Sequence, residues 1–141
     1  MSRWLLRETS GCKERGADCV ERTEGMQTQS FKDLIVWQKS YKLVLEIYRV
    51  TKEFPKDEVY GLSQQMRRAA VSIPSNISEG YGRQHSKEYR QFLSMAYGSL
   101  CELETQYLLS LDLNYSKRNE TVENLINESG RMLYRMLNPI S

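Results

Sequence analysis

Residues 86–112, SKEYRQFLSMAYGSLCELETQYLLSLD, decide the fold of this chain. Tyr89, Phe92, Leu93, Ala96, Leu100, Leu103, Tyr107 and Leu111 recur there at spacings of three and four. That is the period of one helix face, sustained for roughly six turns, whereas a strand would alternate at every second residue. Ser86 stands where the helix needs a cap for its first free N–H groups. Gly98 weakens a helix interior by about 1 kcal/mol relative to Ala, so a tight helix crossing is expected at that point.

The same period extends outward in both directions. Downstream, Asn114-Tyr115-Ser116 reads as a turn, followed by Val122, Leu125, Ile126, Ser129, Met132, Leu133 and Met136 on a helix that Asn138-Pro139 ends. Upstream, Val59, Leu62, Met66, Ala70, Ile73 and Ile77 mark a second helix, with Asp57 as its expected cap and Glu79-Gly80-Tyr81-Gly82 as its stop. Pro74 removes one backbone donor inside it and crowds the carbonyl of Ala70, which predicts a kink among small neighbours. The first helix runs from Phe31 to Phe54-Pro55 and carries Leu34, Trp37, Tyr41, Val44 and Tyr48 on one stripe. Similar helices joined by short connections predict an all-α, antiparallel up-down-up-down four-helix bundle over residues 28–141.

The first helix has a second apolar set, Val36, Leu43, Ile47, Val50 and Phe54, away from that stripe. A bundle helix needs only one stripe, so either this helix lies deep in the core or the second face meets another subunit. Self-association through Val36, Leu43, Ile47 and Val50 is the expectation. Residues 1–27 mix charge with glycine and show no periodicity, which reads as a disordered leader. Met26 directly precedes the patterned region, so a start assigned too far upstream and a short functional arm are the two competing explanations of the leader.

The three cysteines, Cys12, Cys19 and Cys101, are odd in number and lack paired metal-site spacing. Neither a disulfide framework nor a structural zinc site is suggested, and a reducing cytoplasm is the expected compartment. No apolar run is long enough for a membrane span or a signal-peptide core, so no membrane partner is expected. Asn76, Asn114, Asn119 and Asn127 match the glycosylation sequon by chance in such a compartment. His85 is the only histidine and lies in a polar turn, Cys101 reads as an inert, partly buried thiol, and no glycine-rich phosphate loop is present. No enzyme chemistry, cofactor or metal site is expected from these residues.

Phe31-Lys-Asp-Leu-Ile-Val-Trp37-Gln38, Phe54-Pro55 with Glu58-Val-Tyr60-Gly61-Leu62, and Gln65-Met-Arg67-Arg68 running on to Ser72-Ile73-Pro74-Ser-Asn76-Ile-Ser-Glu79-Gly80 form an ordered series. Gly98-Ser99-Leu100 and Glu102-Leu103-Glu104 continue it. The series resembles the four-helix-bundle proteins encoded in intervening sequences of bacterial 23S ribosomal RNA genes, over roughly residues 28–138. That family is similar to the accessory variability determinant of diversity-generating retroelements. The resemblance implies a homopentamer and, for the retroelement branch, an accessory role beside a reverse transcriptase with RNA or DNA contact.

Antiparallel order brings the start of the first helix, the end of the second, the start of the third and the end of the fourth to one pole. Lys32, Lys39, Arg83, Lys87, Arg90, Arg131 and Arg135 gather there with His85, against Asp33, Glu79, Glu88 and Glu128. The other pole holds Lys52, Lys56, Lys117 and Arg118 against Glu53, Asp57, Glu58, Asp112, Glu120 and Glu123. A chain of net charge +2 is then electrically polarised, and its basic pole suits a phosphate backbone. Tyr81 and Tyr89 offer stacking faces beside it. Arg67 and Arg68 lie inside the second helix, facing Glu102 or Glu104 as candidate partners, and Arg68, Asn76 and Glu79 are read as a structural hydrogen-bond network. The expected function is that of an oligomeric, non-enzymatic nucleic-acid-binding or nucleoprotein accessory protein. A protein-interaction scaffold, including one serving a reverse transcriptase, is the alternative.

Overall fold

The computed structural model describes residues 29–140. The expected leader and Cys12 and Cys19 fall outside these residues. Four helices carry the fold: α1 (Ile35–Lys52), α2 (Leu62–Gly82), α3 (Ser86–Asp112) and α4 (Glu120–Leu137). Single 3-10 turns, Phe31–Asp33 and Lys56–Glu58, precede α1 and α2. Each helix packs on its neighbours in sequence, and α1 closes the bundle against α4. The predicted four-helix, all-α architecture is therefore present, in a neighbour order compatible with up-down-up-down topology.

Local chemistry explains where the elements begin. Phe31 does not open α1. Ser30 and Asp33 form a reciprocal capping box around a separate turn, and the extended Leu34 divides it from the helix. The Gln38 side chain then donates to the Lys32 carbonyl at 2.7 Å and docks the turn on α1. The expected Asp57 cap is replaced by Glu58, whose Oε2 accepts the Leu62 N–H at 2.8 Å. Val59 consequently lies before α2 and is exposed. Likewise Ser86 does not cap α3; His85 occupies that position without a side-chain bond. At α4, Asn119 Oδ1 accepts the Val122 N–H at 3.1 Å.

The core gathers one stripe from each helix, including Met66, Ile73, Ile77, Leu100, Leu103, Tyr107, Val122 and Leu133, each at most 3 % exposed. The proposed second face of α1 belongs to this core. Leu43 and Ile47 are wholly buried, and Val36 and Val50 nearly so. These four residues are thus not available as an oligomer surface, and the deep-core explanation of the double stripe holds. Of the other stripe Trp37 is also buried, whereas Tyr48 is exposed. A helix contacting both α2 and α4 needs a wide apolar arc, which is why two stripes appear on one sequence.

The tight crossing predicted at Gly98 occurs at Gly80 instead. A Cβ added at Gly80 would lie 2.6 Å from Phe92 Cβ and 3.1 Å from the Tyr89 ring, whereas one at Gly98 meets nothing within 4 Å. α2 and α3 form the most extensive helix pair of the bundle. Pro74 is buried within α2, and nearby Ser72 and Ser99 share a 2.8 Å hydrogen bond across the pair. Gly80→Ala should therefore destabilise the fold by about 1–3 kcal/mol through overpacking. Gly98→Ala should stabilise the isolated protomer by up to about 1 kcal/mol through helix propensity. Urea unfolding of the two variants, followed by circular dichroism, should give shifts of opposite sign.

Candidate functional site

The charged ends of the bundle are set by where the helices stop. α3 is 27 residues long, against 18 in α4. At 1.5 Å per residue that makes it roughly 13 Å longer. Tyr97 meets Tyr134 with ring centroids 6.4 Å apart, so the surplus length of α3 lies at its start. The end of α2 accompanies it, because Gly80 lies against Phe92 and the Tyr81 and Tyr89 rings meet at 6.3 Å. The α2–α3 hairpin consequently overhangs the end of α4.

This overhang carries Arg83, Lys87 and Arg90, all exposed. Arg131 and Arg135, also exposed, stand a step below on the last two turns of α4. Lys32 is exposed on the entry turn. The structure thus distributes these cations over a stepped end rather than one flat pole. Two of the seven candidates are engaged internally. Lys39 Nζ lies 3.0 Å from Glu128 Oε2, and Arg83 pairs with Glu79 at 3.1 Å while covering the Phe92 ring at 5.4 Å. Lys32, Lys87, Arg90, Arg131 and Arg135 have no carboxylate partner among the described residues, so their charge faces solvent unneutralised. Tyr81 and Tyr89 pack edge to face on each other, and burial pushes the Tyr89 phenol above its ordinary value.

The network expected of Arg68, Asn76 and Glu79 is not formed as a unit. Asn76 donates to the Ser72 carbonyl and hydroxyl at 2.8 and 2.9 Å, Glu79 takes Arg83, and exposed Arg68 joins neither. Arg67 does not reach Glu102 or Glu104. It donates to Thr51 Oγ1 at 2.8 Å and lies over the Tyr48 ring at 4.7 Å, tying α2 to α1. Cys101, expected to be partly buried, is exposed.

The opposite end holds an interaction set that the sequence did not announce. Tyr107 is buried, and its hydroxyl accepts the Asn119 N–H at 2.8 Å while donating to Glu123 at 3.3 Å. Glu123 also takes two 3.0 Å bonds from Arg118. Those bonds, Arg118 foremost, hold the Glu123 carboxyl below its ordinary value of 4.5. Tyr115 donates to Glu58 at 3.0 Å, which fastens the α3–α4 turn to the start of α2 and raises the Tyr115 phenol. These partners meet only because the chain has folded back, so no spacing rule exposes them. Two acids of this end, Glu58 and Glu123, are thus spent on holding the connections.

A family model for the 23S rRNA-intervening sequence proteins matches residues 32–135. The chain belongs to that family. Among the curated proteins none matches. The span that defines it as a 23S rRNA-intervening sequence protein runs from the entry turn to the last turn of α4, so all seven basic candidates lie inside it. Among the described residues no group of three acidic, histidine or cysteine side chains is arranged to hold a metal ion, and no helix is long and apolar enough to cross a membrane.

Tyr107→Phe should cost about 1–3 kcal/mol, since it leaves the Asn119 N–H without its acceptor. Equilibrium urea unfolding measures this. Because the Glu123 carboxyl is depressed in the folded state, its contribution exists above 4.5 and disappears as pH falls through the lower folded value. The stability difference between the native chain and Glu123→Gln should be present at neutral pH and fade in acid.

Proposed function

We propose that this protein is a self-associating, non-catalytic nucleic-acid-binding protein that engages a phosphate backbone through the stepped basic end of its bundle. The observation that carries this reading is the set of five exposed cations, Lys32, Lys87, Arg90, Arg131 and Arg135, that lack carboxylate partners among the described residues. Membership of a family named for an intervening sequence of 23S rRNA supports it. Contacts from these long cationic side chains to phosphates position a backbone without reading bases, so weak sequence selectivity follows. Arg83 adds little, because its guanidinium is shared by Glu79 and Phe92. Lys39 is similarly committed to Glu128. Self-association would multiply the basic end around an assembly and raise affinity without new contacts.

The test is titration of RNA and of single- and double-stranded DNA at several salt concentrations. Affinity should fall steeply with salt, with a logarithmic slope near −0.9 per duplex phosphate neutralised. Lys87→Ala and Arg90→Ala should each reduce that slope by about one and weaken all sequences alike. Lys52→Ala at the far end should leave it unchanged. No binding at low ionic strength contradicts the reading, as does a protein partner retained with full occupancy after nuclease treatment of the same complex.

A further inference from the structure

Most of the exposed large apolar side chains among the described residues fall on two separate surfaces. Tyr48, Val59, Tyr60 and Val71 line a groove of about 550 Å³ along α1 and α2, and Tyr60 is 88 % exposed. Met95, Leu108 and Leu109 stand on the outward side of α3 and Leu113 directly follows its end, each about half exposed. Beside them on α3, Ser94, Gly98, Cys101 and Thr105 are also exposed. A solvated helix face ordinarily mixes charges of both signs, and this one is largely small and apolar, with no cation from Gln91 to Asp112.

Gly98 sharpens the point. It weakens α3, yet a Cβ there would meet nothing within 4 Å, so the protomer contains no packing reason for it. Close approach of a backbone from outside supplies one. The charges around the two surfaces are opposite in sign. From Gln91 to Asp112 the charged residues of α3 are Glu102, Glu104 and Asp112, all acidic. The charged residues lining the groove are Arg67 and Arg68, and Arg68 is exposed without a carboxylate partner among the described residues. Apolar surfaces of opposite charge are complementary.

α3 packs on α2 and α4, whereas the groove lies along α1 and α2, so one copy does not fold its own α3 face into its own groove. We infer that the occupant of the groove is the outer face of α3 from a second copy of this chain. This deepens the self-association proposed above: it says which surfaces meet, and that they meet head to tail. Such a contact joins two different patches and propagates around a ring or along a filament, unlike a two-fold dimer. A helix of 27 residues is about 40 Å long, enough to supply the roughly 800 Å² per partner of a stable interface.

Head-to-tail contact makes a distinctive prediction for two blocked chains, Val71→Glu in the groove and Leu109→Glu on α3. Both positions are exposed, 41 % and 48 %, so each variant should fold, with unchanged circular dichroism and a thermal midpoint that no longer rises with protein concentration. In native mass spectrometry and sedimentation velocity at high micromolar concentration, each alone should run as a single chain. Mixed in equal amounts they should form a one-to-one pair and nothing larger, because one intact groove meets one intact α3 face. Gly98→Leu should weaken the native assembly while leaving or raising the thermal midpoint of the dissociated chain, measured at low concentration. Blocked chains that still assemble, or that fail to pair when mixed, overturn the head-to-tail contact and leave self-association standing. A native chain that stays monomeric overturns both.

Discussion

The approach of α2 to α3 at Gly80 is the constraint on which the rest of the molecule depends. With no side chain there, Phe92 and Tyr89 press directly against the α2 backbone, and the two helices run together to their shared end. The connection between them needs only Arg83, Gln84 and His85, with Gln84 in the left-handed region at φ 61°. Because the hairpin is pinned at this end, the surplus length of α3 projects past α4. Packing at one glycine therefore decides where Lys87 and Arg90 stand in space.

Charge follows from that geometry. At the far end, Glu58 and Glu123 are occupied by Leu62, Tyr115, Tyr107 and Arg118, so the acids there stabilise connections between helices. Among the described residues the candidate cations of the overhanging end outnumber its acids, and of the seven only Lys39 and Arg83 pair with a carboxylate. The chain is close to neutral in sum and uneven in distribution. Unevenness of this kind produces a directional field, and steering depends on that field more than on net charge. The α3 surface between the two ends is almost free of cations, which separates its use from that of the basic end.

Helix number and the core faces of α2, α3 and α4 were legible in the sequence because each is written at a single period of three and four. α1 was harder, since a helix gripped from two sides carries two stripes, and spacing alone does not say that both are inside. That ambiguity turned Val36, Leu43, Ile47 and Val50 into an apparent surface. Gly98 misled for a related reason: propensity says a glycine is unfavourable, while only coordinates say whether anything approaches it. Caps were misplaced by one residue at Asp57 and Ser86, where a neighbouring side chain or no side chain does the work. The basic candidates were legible as a group, because topology alone brings helix ends together. Which of them are spent on Glu79 and Glu128 was not, since that depends on side-chain reach. Nor was the Tyr107–Asn119–Glu123 set, whose members meet across a fold-back.

Lysine reactivity measured across the molecule reports directly on where nucleic acid lies. The chain can be acylated sparingly with and without saturating RNA, and each modified lysine read by peptide mass spectrometry. Protection of Lys32 and Lys87, with Lys52, Lys56 and Lys117 as reactive as in the free protein, is the result expected of a basic-end interface. Equal protection at both ends, or protection confined to Lys52, Lys56 and Lys117, would contradict it.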